Sequence, residues 1–130
     1  MKVRIYYKDT DMGGIVYHSN YLDFCEMARS EYFFSAGKSP MINECHFAIR
    51  KIEADFLSPS YLGDILEIKT VVTKIKHTSL ELYHEIVRDE TLIFKQTVTL
   101  VFLCKDGKPH RIDEATKEFF KQLITQKEEL

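Results

Sequence analysis

The sequence predicts an α+β fold in which one antiparallel sheet wraps around one long central helix. Three observations carry this. From about His46 to Arg111 the chain alternates apolar and polar residues in runs of strand length. Short polar turns join these runs, so consecutive strands must be antiparallel. One early helix is long and apolar enough to cover the sheet face that such strands need to bury.

Residues 2–8 read as the first strand, with Val3, Ile5 and Tyr7 alternating against Lys2, Arg4 and Lys8. Ser19 or Asn20 can cap the helix, which runs to about Gly37, where glycine closes it and Pro40 prevents continuation. Tyr21, Cys25, Ala28, Tyr32 and Ala36 recur at steps of three and four and share its buried face. Asp23, Glu26 and Ser30 lie opposite. Ile65 to Ile75 carries Leu66, Ile68, Thr70 and Val72 on one side, and its phase slips near Thr73 or Lys74, which marks a bulge. Leu80, Leu82, His84 and Ile86 share one face of the next strand. Phe94, Gln96, Val98, Leu100 and Phe102 share one face of the last. Turns fall at Lys76-His77-Thr78, Asp89-Glu90 and Asp106-Gly107. Asp113 can cap a final helix with Phe119, Phe120, Leu123 and Ile124 as its apolar contacts, and its Lys127-Glu128-Glu129 end should fray.

The chain has 130 residues, which predicts a single domain over 1–130. Hydrophobic residues make up 45% and charged residues 29%, the balance of an ordinary globular protein. A net charge of -2 argues against a nucleic-acid partner. No apolar run approaches the roughly 20 residues of a membrane span. The N-terminus has no apolar signal core, so a cytoplasmic location is expected. Cys25, Cys45 and Cys104 lack C-x-x-C spacing and read as free thiols. The five histidines show no metal-ligand spacing, so neither a metal nor another cofactor is expected.

The chemistry concentrates between Tyr6 and Tyr21. Two acids, two glycines and a histidine lie there between a strand and a helix start, where backbone N–H groups point outward unpaired. Asp11 can serve as nucleophile or general base, although on the residues alone a turn aspartate bonded to its own backbone is the simpler reading. Asp9, two residues away, points to the opposite side and reads as a structural partner for Arg4 or Arg29. His18 can offer its ring or its backbone N–H to a developing oxyanion. Tyr17 and Asn20 are lesser candidates for substrate binding. Glu26 and Arg29 read either as supports for the site or as an ion-paired face. Cys25 falls on the apolar helix face and reads as core.

The segment resembles a known family. Asp9-Thr10-Asp11, Gly14-Ile15-Val16-Tyr17-His18, Asn20-Tyr21, Glu26 and Ala28-Arg29 are similar to the signature of the YbgC-type, Tol-Pal-associated acyl-CoA thioesterases. These belong to the 4-hydroxybenzoyl-CoA thioesterase group of hotdog-fold proteins. The resemblance implies a hotdog fold and a hydrolase that splits acyl-CoA thioesters to free acid and CoA. It implies Asp11 as the catalytic carboxylate, since Asp11 matches the second acid of the motif, and it favours His18 as a functional residue. It also implies that the Lys74, Lys76 and His77 hairpin meets nucleotide phosphates, with Lys76 the clearest contact and Arg88 and Lys105 further candidates. Subunits in this group pair edge to edge, so a homodimer or homotetramer is expected. Acyl carrier protein is the alternative carrier. Two rival functions remain: a hotdog dehydratase using His18 and Glu26, and a binding module for acyl carrier protein or envelope-associated partners.

Overall fold

A computed structural model describes residues 1–126, with side chains through Gln122. Five strands form one sheet: β1 (Lys2–Arg4), β2 (Cys45–Phe56), β3 (Ile65–Ile75), β4 (Ser79–Arg88) and β5 (Thr91–Cys104). Their order is β1-β3-β4-β5-β2, and every neighbouring pair is antiparallel. Two α-helices lie among the described residues, α1 (His18–Ser35) and α2 (Glu114–Gln126). Helix α1 lies along the inner face of the sheet, which is the hotdog arrangement. Tyr21, Phe24, Cys25 and Ala28 pack with Leu66, Ile68, Ile86 and Phe94 at one end. Phe33 packs with Val72, Leu80, Leu82 and Leu100 at the other.

The expected turns and faces are in place. Leu80, Leu82, His84 and Ile86 are buried, as are Phe94, Gln96, Val98, Leu100 and Phe102. The β3–β4 register slips between Val72 and Lys74, which makes Thr73 the bulged residue. Gly37, at φ 73°, closes α1: its N–H donates to Phe34 O and that of Lys38 to Phe33 O. Asp113 caps α2 through the Thr116 N–H and hydroxyl. Phe119 and Phe120 are buried against the core. The expected contacts of Leu123 and Ile124, and the frayed end at 127–129, lie outside the described residues.

Several expectations are corrected. Strand β1 stops at Arg4, because the Asp9 carboxylate accepts the Tyr6 N–H at 2.9 Å and bends Tyr7–Asp9 into one turn of 3-10 helix. Tyr7 swings out and is 82% exposed, the reverse of its expected inward position. Helix α1 begins at His18 with Tyr17 at its N-cap, and no side chain caps it. Ser19 and Asn20 are therefore inside the helix. Ala36 lies past its end and is exposed. Cys45 and Cys104 are not free thiols but a disulfide between directly opposed residues of β2 and β5. Cys25 is free and buried. No helix among the described residues is long and apolar enough to cross a membrane.

A polar belt divides the core. Thr70, His84 and Gln96 stand side by side on the inner faces of β3, β4 and β5. Arg29 reaches down from α1 and donates to His84 Nε2 at 3.2 Å, while Thr70 Oγ1 lies 3.0 Å from Nδ1. Arg29 can only donate, so His84 is neutral and carries its proton on Nδ1. Burial first, and the Arg29 charge second, push the His84 pKa down from 6.5 to about 3. The unfolded chain therefore takes up a proton below pH 6.5 that the folded chain refuses. Stability from this term is complete above that pH and is lost progressively as pH falls toward 3. Denaturant unfolding of His84→Gln should show a shallower acid loss than the wild type between those limits. Parallel curves would exclude His84 as the source.

Candidate active site

The Asp9 carbonyl ties the loop before α1 to the helix. It accepts the Tyr17 N–H at 3.0 Å and the Asn20 amide Nδ2–H at 2.8 Å. The Asp9 side chain is buried (the residue is 4% exposed) and is held by the Tyr6 N–H and by Lys8 Nζ at 3.0 Å. Asp9 is structural, as expected, but its partner is Lys8. Arg4 instead donates to Gly63 O, and Arg29 to His84.

From this anchor the chain makes a tight excursion. Thr10 and Val16 bridge antiparallel, the Asp11 N–H donates to Ile15 O at 2.9 Å, and the Gly14 N–H donates to Asp11 O at 3.0 Å. Gly14 sits at φ 80°, where a side chain would strain the turn. The Asp11 carboxylate is exposed at its tip, and Oδ1 accepts the Gly13 N–H at 2.8 Å. A Cβ on Gly13 would approach that oxygen to 3.2 Å, so glycine leaves the carboxylate room. The turn bond is thus present, and it uses only one of the two carboxylate oxygens among the described contacts.

The start of α1 stands beside this loop. With no side-chain cap and no acid in the first turn, the His18 and Ser19 N–H groups and the helix dipole are available to a ligand. His18 is the first helical residue, its ring tilted against that of Tyr17 with centroids 4.4 Å apart and edge-on to Phe56 at 6.1 Å. A cavity of about 250 Å³ opens here, lined by Ile15, Val16, His18, Tyr21, Phe56 and Leu57 among others. Tyr21 stacks on Phe94 at 5.3 Å to form its apolar floor. His18 and Tyr21 of α1 face Phe56 of β2 across this cavity, and farther along the same two elements Glu26 and Arg29 share a second cleft with His46 and Phe47, so that the lining of a groove is divided between α1 and β2. A bulge at Arg50 shifts the phase of β2, so that Phe47, Ile49, Ile52, Ala54 and Phe56 all oppose inward residues of β5. Ile49 and Phe56 are about half exposed, which leaves the groove open at the sheet edge.

The structure brings Asp11, Tyr17, His18 and Asn20 to one end of the sheet. The Asn20 amide is engaged by Asp9. Lys76 is not part of this group. It follows Ile75, at the far end of β3 from Ile65, whereas the Asp11 loop bridges to Tyr61 just before that strand. Eleven residues of strand separate the two ends, about 35 Å. Arg88 is at the near end but is tied to Pro59 O and Asp64. His84 was not anticipated as a polar contact of Arg29, nor Gln96 as its neighbour in the belt. Their signal was present, since both occupy inward positions of their strands.

A model of the thioesterase superfamily matches residues 13–94. The acyl-CoA thioester hydrolase YbgC of Escherichia coli O6:H1 is 37% identical over 127 residues, covering 92% of this chain and 93% of its own. The chain belongs to the thioesterase superfamily, in its YbgC-type branch. The acyl-CoA thioesterase YbgC of Helicobacter pylori is 48% identical over 86 residues, a match spanning 66% of this chain and 65% of that relative. A probable thioesterase from Bartonella henselae superposes with a TM-score of 0.82 at 28% identity, over 87% of this chain and 97% of its own.

Asn20→Ala removes one of the two donors to the Asp9 carbonyl. It should cost about 1 kcal/mol of stability and lower kcat more than it raises KM, because it loosens the loop that carries Asp11. Denaturant midpoints with steady-state kinetics check this, and a change confined to KM would make Asn20 a substrate contact instead.

Proposed function

We propose that this chain hydrolyses acyl-CoA thioesters to free acid and CoA, with Asp11 as nucleophile or general base. The observation that carries it is the adjacency of an exposed carboxylate, an uncapped helix start and an apolar cavity. The acyl group enters the cavity beside Tyr21 and Phe56. The thioester oxygen meets the N–H groups at His18, where the helix dipole stabilises its developing charge. As base, Asp11 takes a proton from water as the oxygen adds to the carbonyl carbon. The C–S bond then breaks and the CoA sulfur leaves as a thiol with that proton. As nucleophile, Asp11 forms an anhydride that water opens. Tyr17 packs against His18 and flanks the entrance. The dehydratase alternative is disfavoured, since Glu26 is eight residues along α1 from His18, about 12 Å.

Assembly belongs to this reading. Strand β2 is an edge of twelve residues with no neighbour among the described residues on its outer side. Arg50 and Lys51 precede Glu53 and Asp55 on it, so two copies paired antiparallel set basic halves against acidic ones. Such a pair also closes the open groove, because the Phe47 end of one strand lies beside the Phe56 end of the other. A homodimer formed this way, paired again into a homotetramer, is the assembly we expect. A phosphate contact by Lys76 then requires a neighbouring subunit. The carrier is CoA, or acyl carrier protein, and the cytoplasm is the compartment that supplies either. In reducing surroundings the Cys45–Cys104 bond would be transient.

Asp11→Asn keeps shape and removes charge and basicity. Its kcat should fall by about a hundredfold to ten-thousandfold with KM little moved, measured as thiol release from acyl-CoA. Near-normal turnover would remove Asp11 from the mechanism. Reversing the edge charges with Glu53→Lys and Asp55→Lys should shift sedimentation toward monomer and lower activity with it. An active monomer would refute the shared groove.

A further inference from the structure

A second cleft, of about 260 Å³, lies farther along α1 and β2 and is lined by Glu26, Arg29, Ser30, His46, Phe47 and Leu100 among others. Its polarity is unlike that of the cavity at His18. Arg29 is largely buried, yet its one hydrogen-bond partner among the described residues is the neutral His84 ring. A buried cation normally meets an acceptor that matches its charge and its several donors. Buried donors left without such an acceptor call for a ligand or an ordered water. Glu26 lies one turn before Arg29 and is exposed.

The cleft therefore offers donors from Arg29 and an acceptor from Glu26, with the two charges cancelling. A hydrocarbon end would leave the Arg29 donors unfilled. A carboxylate end would satisfy Arg29 but face Glu26. A hydroxyl both accepts and donates, and it carries no charge into an otherwise apolar groove. Arg29 is eleven residues along the helix from His18, about 16 Å. A medium or long acyl chain spans that length, and a single aromatic ring does not.

We propose that this cleft binds a hydroxyl group at the distal end of the acyl chain, so that the preferred substrates are acyl-CoA thioesters hydroxylated far from the thioester. This rests on the thioesterase reading above and names its substrate class. Arg29 and Glu26 are then specificity-determining residues.

The test compares acyl-CoA substrates of equal chain length that are unsubstituted, hydroxylated at the far end, carboxylated at the far end, or hydroxylated beside the thioester. The terminally hydroxylated substrate should have the highest kcat/KM, exceeding the unsubstituted one by at least about tenfold, the worth of one hydrogen bond to a charged group. Arg29→Met should erase that preference. Glu26→Ala, at an exposed position that does not bear on folding, should shrink it severalfold. Equal kcat/KM for the hydroxylated and plain chains, or preference for one of the other two, overturns the proposal. Calorimetry with the free acids separates the two readings. If no thioester is hydrolysed, the thioesterase reading fails, and tighter binding of the terminally hydroxylated acid than of the plain acid still supports the cleft. Equal binding of the two acids sinks it.

Discussion

Asp9 joins the two halves of the site through different atoms of one residue. Its buried carboxylate stops β1 and turns the chain, while its carbonyl receives both the Tyr17 N–H and the Asn20 amide at the start of α1. The helix start is thereby fixed relative to the excursion that carries Asp11. Neither feature would be useful alone. A loop carboxylate without a fixed electrophile-binding site is a turn residue, and an uncapped helix without a carboxylate is a weak anion site. The cost of burying the Asp9 charge is offset by the Tyr6 N–H and by Lys8, which keeps its ammonium in water.

The same division of labour appears in the core. Two apolar clusters hold α1 to the sheet at either end, and the belt of Arg29, His84, Thr70 and Gln96 lies between them. Hydrophobic contacts are non-directional and would allow the helix to slide or rotate on the sheet. A guanidinium that must meet one imidazole nitrogen does not allow this. The belt weakens the core by interrupting it, and in exchange it fixes the register of α1, and with it the groove, against the sheet.

The architecture was legible because hydrophobic period and turn chemistry are local. The inward faces of β4 and β5 could be read directly, and the slip at Thr73 announced a bulge by its change of phase. The slip at Arg50, between Ile49 and Ile52, carried the same signal and was not read, though it is what keeps the wall of the groove apolar. The misplacement of Tyr7 and Asn20 has a different origin. Strand alternation and capping preference pointed one way; the bond from the Tyr6 N–H to the Asp9 carboxylate turned Tyr7 outward, and a bond across eleven residues, from Asn20 to the Asp9 carbonyl, engaged Asn20. The Cys45–Cys104 bond and the Arg29–His84 contact likewise depend on long-range register, which local pattern does not contain. The residues from Asp9 to His18 could be grouped because they are neighbours in sequence as well as in space. Lys76 was grouped with them by resemblance, and a strand's length separates it from them within the chain.

That separation bears on how the site can work. Asp11 stands exposed at a loop tip, and Tyr7, Met12 and Tyr17 around it also face solvent. Preorganised N–H donors stabilise a developing oxyanion far better when water is excluded. Nothing else among the described residues of this chain covers the loop or the open side of the groove. The apolar row on β2, the self-complementary charges on its edge and the distant basic hairpin are three features that a single chain leaves unused. Each acquires a role if a second copy supplies the missing wall. In that case the loop that carries Asp11 is complete within one chain, whereas the enclosure that makes the neighbouring dipoles effective belongs to the assembly.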